Sequence, residues 1–208
     1  MNIKCRIKTF LGTLSLKFRY PKINFRIIDS PKELEKMYKL ISQIYGLEKK
    51  YINPDNLRPE SLKDEYEEYT IKIGTFIGDN LIGALRIILP SKEGFYVEKD
   101  FNIELPKSYY TEMAELSRLV VKKEYRDGLI SLGLLKKALE ISKKRGIKYW
   151  IVVIPEEIKN YFTNSFGISF YPIETKELTE KQKRIREKMS NYYLTCNPAP
   201  YLINLMEI

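Results

Sequence analysis

Glu115, Ser117 and Arg118 lie within the stretch Glu112-Met113-Ala114-Glu115-Leu116-Ser117-Arg118-Leu119-Val120-Val121 and bring an acid, a hydroxyl and a guanidinium together. Such a group can move a proton and hold an anion, or it can be no more than a salt-bridged pair on an ordinary strand. From Glu115 onward polar and apolar residues roughly alternate, and the stretch ends in a β-branched pair, which predicts a strand. Glu115, Ser117 and Leu119 then point one way, and Leu116, Arg118 and Val120 the other. Glu115 and Arg118 can serve one site only if a bulge re-aims one of them, and bulges are over-represented beside active sites. The functional reading therefore predicts a bulge in this strand.

The turn Lys122-Lys123-Glu124-Tyr125-Arg126-Asp127-Gly128 follows, then an apolar-periodic segment, Leu129 to Arg145, that predicts a helix. A strand, a Tyr-Arg turn and a helix entry supply backbone N–H groups that can meet phosphate or pantetheine oxygens. The chain has no histidine, which excludes Ser-His and Cys-His nucleophilic catalysis and His-ligated zinc within it. Acid–base work near neutral pH falls to Glu, Asp, Tyr, Lys or water. Cys5 and Cys196 offer neither metal spacing nor a disulfide framework.

Elements on either side must position these groups. Asn24 to Asp29 reads as a strand. Ser30 or Asp29 can cap a helix with Pro31 in its first turn and Leu34, Met37, Tyr38, Ile41, Ile44 and Tyr45 on one face, ended by Gly46. Asn53-Pro54 and Arg58-Pro59 mark a loop, with a short helix around Ser61–Glu68. Ile71–Ile77 and Leu81–Leu89 predict a hairpin about Gly78-Asp79-Asn80. Arg86 sits among Leu85, Ile87 and Ile88, so it needs an anionic partner if buried and an exposed face if not. The loop Pro90–Lys107 carries Phe95, Tyr96, Phe101 and Leu105, a cover for an apolar pocket.

In the helix Leu129–Arg145, the residues Leu132, Leu135, Ala138, Leu139 and Ser142 are assigned to one side, with Gly146 as the C-cap. Lys136, Lys137, Lys143, Lys144 and Arg145 lie elsewhere, either solvated or a face for an acidic protein. Tyr149–Ile154 reads as a buried strand, Glu156–Asn164 as a helix, Ile168–Ile173 as a strand and Glu177–Asn191 as a charged helix. The tail Asn197–Ile208 is expected to close over the domain.

At 208 residues the chain reads as one domain, 24–208, preceded by a basic arm, 1–23, that holds Lys4, Arg6, Lys8, Lys17, Arg19 and Lys22 and no acid. The arm could lie on an anionic membrane surface, meet an acidic protein, or be a partly disordered arm or extra strand. No stretch approaches the roughly 20 apolar residues of a membrane span, and no secretory cleavage pattern is evident, so a cytoplasmic setting is expected. The net charge of +9 suits an anionic partner or a plain solvated basic surface. Nucleic-acid signatures are not evident, and no nucleic-acid partner is expected. Oligomeric state is not legible.

The strand–turn–helix stretch resembles the central motif of the GCN5-related N-acyltransferase (GNAT) superfamily. Ala114-Glu115-Leu116-Ser117-Arg118-Leu119-Val120-Val121 is closer to the branch of N-acyl-homoserine-lactone (autoinducer) synthases and N-acyl amino acid synthases. The resemblance runs from about Asn24 to Ile173. Asp64-Glu65-Tyr66-Glu67 resembles the branch's early acids around an aromatic, Gly83-Ala84-Leu85-Arg86 its Gly-x-x-Arg strand entry, and Glu115, Ser117 and Arg118 its Glu-x-Ser-Arg motif.

The resemblance implies an α/β (α+β) single-domain fold, with a central mixed, mostly antiparallel sheet flanked by helices. It implies Glu115 as base or substrate acid with Ser117 and Arg118 as its catalytic neighbours. Asp64, Glu67 and Arg86 would join Arg118 in an ionic network that holds the acceptor and orders an N-terminal lid. Leu119, Val120, Val121, Arg126, Gly128 and Ser131 would line the donor's path. The implied reaction moves a medium or long fatty acyl group, carried as a phosphopantetheine thioester on acyl carrier protein or as acyl-CoA, to the amine of an amino acid or related small molecule. No metal is implied.

Two departures bear on the donor. Acetyl-CoA-using relatives read Arg-x-x-Gly-x-Gly/Ala, whereas Arg126 is followed at those offsets by Leu129 and Ser131, with glycines displaced to Gly128 and Gly133. Their Tyr acid, four residues before a Gly-Phe pair, corresponds to Thr163 before Gly167-Ile168, and Tyr161 is out of register. Both favour the fatty-acyl branch. An acetyl-CoA-dependent N-acetyltransferase, and a non-catalytic module that uses the fold to bind an acyl chain or protein, stand as alternatives. Glu67, where the branch has aspartate, bears on the acceptor and puts homoserine lactone synthesis in question.

Overall fold

The computed structural model describes Leu16 and residues 18–52, 62–187 and 190–208. Most of the basic arm, and the Asn53-Pro54 and Arg58-Pro59 loop, lie outside the described residues. Of the arm, Leu16 is buried in the main core and Arg19 pairs with Asp127 at 3.0 Å.

In chain order the elements are β1 (Ile23–Ile27), α1 (Pro31–Ser42), β2 (Thr70–Ile77), β3 (Asn80–Ile88) and α2 (Val97–Asp100). They continue with β4 (Met113–Val121), α3 (Leu129–Lys144), β5 (Tyr149–Ile154) and α4 (Glu156–Phe166). The chain closes with β6 (Tyr171–Pro172), α5 (Glu180–Glu187), α6 (Ser190–Cys196) and β7 (Ala199–Asn204). The strands form one 7-stranded sheet in the order β1-β2-β3-β4-β5-β7-β6. Every pairing is antiparallel except β4 with β5, which is parallel. The mixed, mostly antiparallel sheet flanked by helices is the fold expected.

Helix α3 covers one face of the sheet, where Ile130, Leu134 and Ala138 pack on Ile73, Leu85, Ile87 and Leu116. The opposite face carries two apolar clusters. Met37, Tyr38 and Ile41 of α1 meet Phe76, Leu81 and Val120 at one end. Phe95, Val97 and Phe101 meet Ile88, Met113 and Ile151 at the other. The polar site lies between them.

Local chemistry sets several boundaries as expected. Ser30 Oγ accepts from Glu33 N at 3.3 Å to cap α1, and Pro31 opens that helix. Gly78 turns the β2–β3 hairpin at φ +58°. Gly146, at φ +73°, follows the end of α3.

Four expectations are corrected. Gly46 does not end the first helix: a π-helical turn, Gln43–Glu48, carries it on with Gly46 buried inside. The buried stripe of α3 is Ile130, Leu134, Ala138 and Ser142, while Leu132, Leu135 and Leu139 are only half-buried. Ser142 belongs to that stripe because its Oγ accepts from the buried Trp150 indole at 2.8 Å. The strand expected over 168–173 shrinks to the exposed two-residue edge β6. The tail does not lie over the domain; β7 enters the sheet and pairs with the whole of β5.

Gly133 of α3 faces β1 so closely that an added Cβ would overlap the Phe25 ring. Alanine gains about 1 kcal/mol in helix propensity, but overpacking costs about 1–3 kcal/mol. Gly133→Ala is therefore expected to lose about 1 kcal/mol, measured by urea unfolding.

Candidate active site

The predicted bulge is present. Arg86 pairs with Ser117 and Ala84 with Val120, so Leu85 alone faces both Arg118 and Leu119. Arg118 takes the left-handed conformation, φ +54°, which few non-glycine residues adopt. The extra residue shifts the side-chain phase. Glu115, Ser117 and Arg118 all reach the same cavity, while Leu119 returns to the α3 side and Val120 packs under α1.

Asp64 is the hub of an ionic cluster. Its Oδ1 accepts from Tyr66 N at 3.1 Å, and Oδ2 receives Arg86 Nη1 at 2.6 Å and Arg118 Nη2 at 2.9 Å. Arg86 is almost wholly buried, and its Nε donates to Ser117 Oγ at 2.8 Å. Arg118 also donates to the Leu62 carbonyl. Glu67 Oε2 accepts from Tyr38 Oη at 2.7 Å and meets Lys72 Nζ at 2.8 Å. Lys72 stands directly across from Arg86 in the hairpin.

Three cations (Arg86, Arg118, Lys72) thus share two carboxylates (Asp64, Glu67), leaving one positive charge in excess. Arg118 Nη1 is buried without a hydrogen-bond partner among the described residues, 3.6 Å from Glu67 Oε1. Burial and the adjacent Arg86 lower the Arg118 pKa. An anion brought beside it would relieve both effects.

Glu115 is 2% exposed and lies in the middle of the sheet, opposite Ile88 on β3 and Ile151 on β5. Its Oε2 accepts from Val97 N at 3.0 Å. Burial raises its pKa to about 8, against the opposing pull of the Val97 N–H and of Arg86. It is therefore a carboxyl that holds its proton at neutral pH and releases it slightly above.

Together these residues line a cavity of about 480 Å³, whose other walls include Tyr45, Tyr51, Tyr96, Tyr192 and Tyr193. Leu116 and Val153 line it as well, at the point where β4 and β5 part. The β4–β5 pairing ends at Leu116 with Val152, so residues 117–121 of β4 have no partner strand on that side among the described residues. A parted parallel pair leaves backbone N–H and C=O groups open to an extended amide-bearing ligand.

The sites expected along the donor's path fall differently. Leu119 packs toward α3, and Val120 and Val121 are core residues, so each could offer a ligand only its backbone. Arg126 donates Nε to the Val121 carbonyl at 2.8 Å and forks onto the Glu48 carboxylate. Gly128 precedes α3 at φ +84°, and a Cβ there would strike the Tyr161 hydroxyl. Leu129 N, in the first turn of α3, is capped by Asp127 Oδ1 at 3.0 Å. Ser131 is half-buried in the same turn.

Sequence reasoning missed Lys72, Asp100, Glu48 and the cavity tyrosines Tyr51, Tyr192 and Tyr193, while Tyr96 comes from the loop expected to cover a pocket. Lys72 comes opposite Arg86 through a register shift between Thr75 and Phe76, which the turn residues do not signal. No local signal marks Asp100 or Glu48 either.

The profile of the N-acyl amino acid synthase FeeM matches residues 36–176. No curated protein matches by sequence. Among solved structures, a CoA-dependent acyl-homoserine lactone synthase, BjaI, superposes with TM-score 0.65 at 18% identity over 88% of this chain and 83% of that one. FeeM from uncultured soil microbes gives 0.59 at 15% over 89% and 92%. A GNAT acetyltransferase from Staphylococcus aureus Mu50 gives 0.55 at 18% over 88% and 99%.

Proposed function

The chain belongs to the N-acyl amino acid synthase FeeM family, an N-acyltransferase family, and from that premise we propose that it moves a medium or long acyl group from a phosphopantetheine thioester to the amine of an amino acid. One observation carries this reading: the cavity joins an excess positive charge at Arg86 and Arg118 to a buried carboxyl at Glu115. The arginine end suits the acceptor's carboxylate, and Arg118 Nη1 is the donor best placed for it. Asp64 and Glu67 keep the guanidiniums aimed, and Ser117 fixes Arg86.

Once ionised, Glu115 takes a proton from the ammonium, and the amine attacks the thioester carbonyl. Backbone N–H groups at the bulge of β4 are the candidates to hold the oxyanion. Collapse breaks the C–S bond, and the departing thiolate takes up a proton. Lines of apolar and tyrosine side chains supply the slot for the acyl chain.

Acyl carrier protein is the preferred donor. Arg126 is already neutralised by Glu48, so it is poorly placed to grip the pyrophosphate of CoA. Lys136, Lys143 and Lys144 are exposed on α3, with Lys137 half-buried beside Glu140. This face would meet an acidic carrier. Reversing these four lysines to glutamate is expected to lower kcat/KM for acyl carrier protein by about 10-fold at low salt and to flatten its salt dependence. Unchanged steady-state rates would remove α3 from the docking surface. Acyl-CoA is the second donor reading, since the matched BjaI is described as CoA-dependent. Mass spectrometry of lipid extracts from expressing cells, beside a Glu115→Gln control, tests the whole reading. New N-acyl amines only with the unmutated protein support it and identify acceptor and chain length. Their absence with abundant folded protein counts against it.

A further inference from the structure

Asp100 ends the one-turn helix α2, whose first N–H is the one bound by Glu115. It is buried, and it lines the same cavity as Glu115 and Arg118. It is oriented by two later helices: Tyr193 Oη of α6 donates to the carboxylate Oδ2, and Arg186 Nε of α5 donates to the Asp100 backbone carbonyl at 2.7 Å. The Arg186 guanidinium also stacks on the Phe101 ring at 4.1 Å and the Tyr193 ring at 4.6 Å, which fixes the tyrosine that aims Asp100. Among the described residues Tyr193 is the hydrogen-bond donor to this carboxylate and Arg186 acts on it only through space, so a cation arriving in the cavity would gain from it.

We propose that Asp100 is an acceptor-binding residue that holds the ammonium group of the incoming amine, in the same cavity as the arginines that take its carboxylate. The inference rests on the amino acid acceptor proposed above. It divides the two cavity carboxyls by role: Asp100 binds the cation, and Glu115 takes the proton once the amine is in place.

Their surroundings support the division. Burial raises Asp100 only to about 6, because the Tyr193 hydroxyl, Arg186 and Lys99 favour its charged form. Glu115 is raised to about 8. At pH 7 Asp100 is largely ionised and Glu115 largely neutral, so one carboxylate is charged when the ammonium arrives. Glu115, Tyr96 and Tyr192 also feel the charge of Asp100. The two tyrosines are pushed up by burial and stay neutral over this range.

Calorimetric titration of the full-length protein with each of the twenty common L-amino acids, and with the deaminated analogue of any that binds, tests the proposal. The wild-type protein is expected to bind at least one amino acid and to reject its deaminated analogue. Asp100→Asn, which keeps an oxygen for Tyr193, should weaken that binding about 10- to 100-fold while melting like the wild type. Wild-type affinity should fall as pH drops through about 6. Tyr193→Phe should move that fall to higher pH, because it removes a hydrogen bond that favours the carboxylate. A structural prop would show no such movement.

Equal affinity in the wild type and in a folded Asp100→Asn overturns the proposal. So does a wild-type protein that binds none of the twenty amino acids. Formation of N-acyl amino acids is scored separately by mass spectrometry. Product with no loss of binding in Asp100→Asn sinks this inference alone, while an absence of both product and binding sinks the acceptor reading as well.

Discussion

Glu115→Gln is expected to lower acyl transfer by roughly 10²–10⁴-fold, the range for loss of a general base, without unfolding the protein. Glutamine keeps the shape and can still accept from Val97 N, which now meets Glu115 Oε2 at 3.0 Å. With the carboxyl present, kcat should climb as pH rises through about 8, since only the ionised form can take the ammonium proton. The variant should lose that rise. Stability gives a second, independent readout. Burial raises the folded pKa from the ordinary 4.5 to about 8, so between those values the folded state holds a proton that the unfolded chain has released. That contribution is fully present below pH 4.5 and disappears as pH climbs through about 8. The Tm of the variant should accordingly gain on the wild type from pH 5 to pH 9. A variant with full activity would remove Glu115 from the chemistry. Parallel Tm profiles would show that its carboxyl is not held neutral.

Much of this site was legible because β4 poses a phase problem that the chain must solve. Glu115 and Arg118 lie three apart on a strand, and a bulge is the economical way to bring both to one cavity; Arg118 at φ +54° is that bulge. The hairpin was legible too, since Gly78-Asp79-Asn80 carries its own turn chemistry. Arg86 was left between two fates, and Asp64 settles it with a 2.6 Å ion pair from 22 residues away. The failures are of another kind. Pro198 and Pro200 argue against a strand, yet β7 pairs with all of β5, with Pro200 opposite Val153. Gly46 looked like a helix stop, but the π-helical turn absorbs it, and Glu48 at the end of that turn reaches Arg126. Asp100 sits in a loop of unremarkable charge, and its meaning comes from Tyr193, 93 residues later. Periodicity reports local shape. It carries no information on which distant side chain will close a cavity.

Asp64→Ala should be the most destabilising single change at the site, by about 3–5 kcal/mol, and it separates stability from function. Asp64 Oδ2 accepts a hydrogen bond from both guanidiniums, and the side chains of Arg86 and Arg118 are only 2% and 13% exposed. Removing it leaves three cations around Glu67 alone, two of them largely shielded from bulk water. For a chain of this size the loss corresponds to a fall in Tm of roughly 10 °C, and transfer should disappear with it because Arg118 loses its aim. Neutralising both partners gives the opposite balance. In Asp64→Leu/Arg86→Met the Asp64–Arg86 pair is removed as a unit and Arg118 is left with Glu67, so part of the stability should return, as it does where buried pairs are replaced by apolar groups of similar volume. Activity should not return, because the acceptor's carboxylate would then meet too little positive charge. A double variant that melts near the wild type and transfers nothing places the ionic cluster in substrate binding. A double variant that recovers both would make the cluster a folding device, leaving Glu115 and the cavity beside it to carry the reaction.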